Sequence, residues 1–156
     1  MNIWVLTVFR VSRKAKRLVK SIEDRVEKIA LDAFGITTEQ YERIINLNDE
    51  KRKIINLAVL KTALCDSVKE RDLDALSRYS CGETAGEIAK DCAVGESAVR
   101  KRIKRAIESC ITAMQDMGFD EKRMEREYGS LDCVSLSRRA IERKTKLKRL
   151  NAYKKL

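Results

Sequence analysis

Apolar residues recur at intervals of three and four along most of the chain, the spacing that lines up one face of an α-helix. Between Val11 and Phe34, the residues Ala15, Leu18, Ile22, Val26, Ile29 and Ala33 form one such stripe, and Gly35 follows where a helix needs a terminator. Thr37 or Thr38 then caps a short helix, Glu39 to Leu47, in which Tyr41, Ile44 and Ile45 share a face. Asn48 and Asp49 are expected to restart the chain. From Glu50, the residues Ile54, Leu57, Leu60, Leu64 and Val68 mark a core helix. A charged stretch, Lys69 to Asp72, leads into Leu73 to Tyr79, with Gly82 suited to the left-handed turn beyond a helix end. The whole pattern predicts an all-α protein of roughly six helical segments.

Two helix signals separated by a short break stand in the middle of the chain. Thr84 and Glu87 make a capping box, and Ile88, Ala89 and Cys92 lie on the inner face of the helix it starts. Ala89 is small enough to let a second helix cross closely, and Val94 plugs the turn. Gly95 is an acceptable N-cap, and Glu96 suits the positive end of the next helix. Val99, Ile103, Ala106 and Cys110 then face the core. The opposite side presents Glu96, Ser97, Arg100, Lys101 and Lys104, with Arg102 and Arg105 at its flanks. A helix of this kind in a major groove would offer the first five to base edges and the flanking arginines to phosphates.

Composition sharpens this picture. The 156 residues include no proline and no histidine, and 34 Lys and Arg against 24 Asp and Glu give a formal charge of +10. Without histidine, the Ser-His, Cys-His and His-zinc constellations are excluded. No catalytic, cofactor-binding or metal-binding set stands out, and a non-enzymatic role is expected. The acidic group Asp116, Asp120, Glu121, Glu125 and Glu127 has the spacing of ion-pair partners for Arg123 and Arg126. Five cysteines without a Cys-x-x-Cys pair read as reduced thiols of a cytoplasmic protein.

The charge is concentrated. Residues 10 to 20 carry +6, residues 96 to 110 carry +3 and residues 135 to 156 carry +8, leaving −7 for everything else. That distribution suits a polyanion. Thr84, Arg138, Arg139, Arg143 and Lys144 join Arg102 and Arg105 as candidate phosphate contacts. The apolar run Ile3 to Phe9 is too short to span a bilayer, its positive charges follow it rather than precede it, and no small-residue cleavage site comes after. It reads as a docked terminal segment or the first turns of a helix, with no membrane partner.

Glu87-Ile88-Ala89, four further residues, Val94 and then Ser97 to Ala106 resemble the helix-turn-helix of region 4 in sigma-70-type sigma factors. The resemblance extends back through Leu73, Leu76, Tyr79 and Gly82 and covers about 40 residues. It implies double-stranded DNA as partner, read by the second helix of the motif, and contact with RNA polymerase. The chain departs from the pattern at Ala93, where the family has glycine, and at Cys92, where it has a leucine-like residue. Residues 1–70 show nothing like region 2, so the architecture resembles the small phage and mobile-element transcription regulators.

The expected organisation is an N-terminal helical region, 1–70, a helix-turn-helix domain, 71–117, and a basic helical extension, 118–156. The function this implies is sequence-specific DNA binding in transcription regulation. The alternative is an assembly protein like a phage terminase small subunit, for which the Ala15 to Ala33 stripe, or Leu136, Ala140, Leu147 and Leu150, would be an oligomerisation seam. A homodimer is the candidate assembly for a regulator; ring-sized oligomers fit the alternative.

Overall fold

A computed structural model describes residues 1–32 and 35–154 and is all-helical over them. Ala33 and Phe34, at the expected end of the first helix, lie outside the described residues. The elements are α1 (Asn2–Asp32), α2 (Thr38–Cys65), α3 (Glu70–Ser80), α4 (Ala85–Cys92), α5 (Glu96–Asp116), α6 (Glu121–Tyr128) and α7 (Asp132–Tyr153).

Helix α1 begins at Asn2, not near Val11. The terminal apolar run is its first two turns, and Trp4, Val5, Val8 and Phe9 sit in the centre of the core. The Ala15 to Ile29 stripe continues the same face and packs against α2, where Leu47, Ile54, Leu57, Leu60 and Leu64 answer it. Helices α1 and α2 run antiparallel: Ser12 Oγ donates to the Leu57 carbonyl at 3.2 Å, and Lys51 pairs with Glu23 at 3.2 Å.

The break expected at Asn48 and Asp49 does not occur, and α2 is one helix capped by Thr37 and Gln40. Asp49 spends its carboxylate on Arg52 at 2.6 Å and Lys53 at 3.1 Å, so it caps no backbone. The core stripe is continuous from Leu47 to Leu64, and tertiary burial outweighs the weak local preference of Asn and Asp for helix ends. Val68, assigned to the same helix, lies beyond its end and is partly buried. Likewise, α3 begins at Glu70 and includes Asp72 in its first turn, and α5 continues past Cys110 to Asp116.

The main core takes residues from α1, α2, α3, α5, α6 and α7. Leu76, Ala106, Cys110, Met114, Met124, Tyr128 and Val134 meet the Trp4 end of α1 there. Burial pushes the Cys110 thiol up to about 12. A smaller core, Ala75, Ala85, Ile88, Ala89, Val99 and Ile103, binds α3, α4 and α5 to one another, and Ile107 touches both cores. Thus α5 is anchored along one whole side, which holds its other side in a fixed attitude.

Candidate nucleic-acid interface

Helix α4 is capped at both ends, and its C-terminal cap opens the turn into α5. Thr84 Oγ1 accepts from the Glu87 backbone N–H at 3.2 Å, and Glu87 accepts from the Thr84 N–H at 2.7 Å. Ala93 ends α4 in the left-handed conformation, at φ 52° and ψ 40°. Val94 then donates its N–H to the Ala89 carbonyl at 3.2 Å and packs on the small core, before Gly95 starts α5. Arg78 of α3 fastens α4 from outside through Glu83, at 2.6 Å, and Asp91.

Burial of Val99, Ile103, Ala106 and Cys110 turns Ser97, Lys101 and Lys104 to solvent, on the side of α5 away from the core. Lys101 forms no ion pair among the described residues, and Lys104 has only a long contact, 3.9 Å, with Glu108. Arg100 is exposed but held by Glu96, whose Oε1 accepts from Nε at 3.1 Å. That guanidinium keeps the Glu96 carboxyl below the usual carboxylate range.

The flanking arginines differ. Arg102 is half-buried and lies within electrostatic reach of Asp72. Arg105 makes a two-pronged contact with the buried Asp72 of α3, at 3.1 and 3.0 Å. Two of its three guanidinium nitrogens are committed there, which joins α5 to α3, while the side chain as a whole stays exposed.

The α7 candidates also separate. Arg138 stacks on Trp4, 3.9 Å from the ring centre, and pairs with Glu125, which places it in the packing of α7 against α1. Arg139 and Arg143 are exposed. Lys144 donates to the Gly82 carbonyl in the α3–α4 loop, beside Thr84. Of the acidic group, Glu127 pairs with Arg123 and Arg126 as expected, whereas Glu125 takes Arg138 and Asp120 caps α6.

Two basic residues not singled out in the sequence complete the surface. Arg10 of α1 donates to the Ser80 carbonyl at 3.3 Å, and Lys148 of α7 stands 5.1 Å from the centre of the Tyr79 ring. With Lys144 they line a cavity of about 230 Å³ that reaches Gly82 and Thr84. Lys148 also lines a groove of about 510 Å³ with Arg100 and Lys104. Burial, then the charges of Arg10 and Lys148, push the Lys144 ammonium below the usual lysine range. Both residues fall in the basic runs 10–20 and 135–156, but only the packing of α1 and α7 shows which members of those runs reach this side.

No family model, curated protein or solved structure matches this chain.

Proposed function

We propose that this protein binds double-stranded DNA in a sequence-specific manner as a transcription regulator, with α5 entering the major groove. The observation that carries the reading is the outward side of α5, where Ser97, Lys101 and Lys104 stand in solvent on a helix buried along its opposite side. A rigid helix with short and long polar side chains at its N-terminal end can reach base edges. Lys101 and Lys104 lead in this role, with Arg100 joining once DNA competes with Glu96 for its guanidinium.

Thr84, Arg102, Arg139, Arg143 and Lys144 supply phosphate contacts in this reading, and Arg10 and Lys148 extend them. The gathering of Arg10, Lys144 and Lys148 around one cavity supports it, because a phosphate there would meet three cations, with Glu83 and Glu87 as the neighbouring anions. Arg105 and Arg138 act instead through the helices they join.

Selection of bound duplexes from a random pool, at about 150 mM salt so that the nonspecific contribution is controlled, tests the proposal. Wild type is expected to enrich a defined sequence. The double variant Arg100→Ala/Lys101→Ala should lose about ten- to a hundredfold in affinity for that sequence and relax its preference at one or two positions. Equal losses on cognate and random DNA would reduce these residues to phosphate contacts, and no enrichment by wild type would overturn the reading.

A further inference from the structure

Helix α2 carries a second pattern on the side turned out of the core, which at Ile55 and Val59 borders the groove along α1. Tyr41, Ile45, Ile55 and Val59 are 58%, 48%, 41% and 63% exposed there, in a helix whose other side is buried. With Asn48 and Arg52 they follow spacings of 4, 3, 4, 3 and 4 residues. At the 3.6-residue turn this confines all six to an arc of about 80° along about 27 Å of helix. Four-three alternation is the spacing of a two-helix seam, and a monomeric surface helix has no need of it.

The order of residues along the seam identifies what covers it. Counted outward from Glu50, Asn48 and Arg52 lie at two residues, Ile45 and Ile55 at five, and Tyr41 and Val59 at nine. The seam therefore reads polar at its centre and apolar at both ends, with the same spacing in either direction. A surface of this kind is complementary to itself about a two-fold axis perpendicular to the helix.

We propose that α2 pairs antiparallel with α2 of a second copy of this chain, centred on Glu50. Tyr41 then meets the partner's Val59, Ile45 meets the partner's Ile55, and Asp49 reaches the partner's Arg52. The open groove of about 690 Å³ between α1 and α2, where Ala15, Val19, Ile55, Ala58 and Val59 lie among lysine and carboxylate side chains of α1, is beside the place of the partner's Tyr41, an amphipathic side chain suited to such a mixed lining. Charge selects the direction. Parallel pairing would set Arg52 against the partner's Arg52, whereas antiparallel pairing sets each Arg52 across from the partner's neutral Asn48 and beside the partner's Asp49, which it then shares with that carboxylate's own-chain partners Arg52 and Lys53. A seam of this length is at the small end of specific interfaces, so the dimer is reversible.

The test is sedimentation equilibrium on the full chain from about 1 to about 100 µM, a range suited to an interface of this size. Wild type is expected to pass from monomer to dimer. Asp49→Lys alone and Arg52→Glu alone each set like charges across the two-fold axis and should weaken the dimer at least about tenfold. An equimolar mixture of the two variants restores opposite charges at both contacts and should form the heterodimer at wild-type strength. The Asp49–Arg52 pair within one chain is broken in both variants and is not restored by mixing, so rescue reports the contact between copies. A wild-type chain that stays monomeric or forms rings would overturn the proposal. So would variants that dimerise as wild type does, or a mixture that shows no rescue.

Discussion

Ala93 is the only non-glycine residue with positive φ among the described residues, and it occupies the turn on which the attitude of α5 depends. A Cβ in the left-handed region costs about 1–2 kcal/mol, part of which glycine returns as extra freedom in the unfolded chain. Ala93→Gly is expected to stabilise the protein by about 0.5–1 kcal/mol, read as a higher urea midpoint with unchanged slope. Asp72 is a second pressure point, buried and held below the usual carboxylate range by the Arg105 guanidinium. Its folded pKa is lower than its unfolded value of about 3.9, so its contribution is present above that value and is lost as pH falls through the folded pKa. Asp72→Asn should therefore lower Tm by a few degrees at pH 7, while calorimetry between about pH 5 and pH 2 should show a shallower acid-side decline than in wild type. An unchanged acid limb would assign that decline to other carboxylates.

At the scale of elements, the apolar spacing within α5, the Thr84 capping box and the Gly95 start were legible because each is a relation among residues within a few positions. The same local rules left open whether Ile3 to Phe9 begin α1, and they divided α2. Asn48 and Asp49 look like helix breakers only until Asp49 finds Arg52 and Lys53, and until Leu47 and Ile54 share one core. Within α7 the basic run looks uniform in sequence, yet Arg138 supports Trp4 while Arg139 and Arg143 point to solvent. Replacing Arg139 and Arg143 together by glutamine should weaken binding to all DNA alike and reduce the salt slope of log Kd by about two, measured by titration at several salt concentrations. An unchanged slope would place DNA elsewhere.

At the scale of the whole molecule, one core joins the N-terminal helices to α5, α6 and α7, so the proposed DNA side and the α2 seam belong to one packed body. If two copies pair through α2, they carry two α5 helices related by the same two-fold axis. The sequences selected from a random pool should then be inverted repeats with one preferred spacing. Asp49→Lys should keep the half-site and lose the spacing. Half-sites without symmetry in the wild-type pool would separate DNA reading from pairing.

Sequence alone determined the helical class, the capping box that starts α4, the start of α5 at Gly95, the outward side of α5 and the clustering of positive charge. These follow from periodicity and from hydrogen bonds that span three or four residues. Tertiary structure decided which cations remain available. Arg105 meets Asp72 from thirty-three residues away, Arg138 meets Trp4 across nearly the whole chain, and Arg10, Lys144 and Lys148 gather where α1 and α7 converge on the α3–α4 loop. A side chain's partner depends on which helices pack together. Spacing along a single helix does not contain that information.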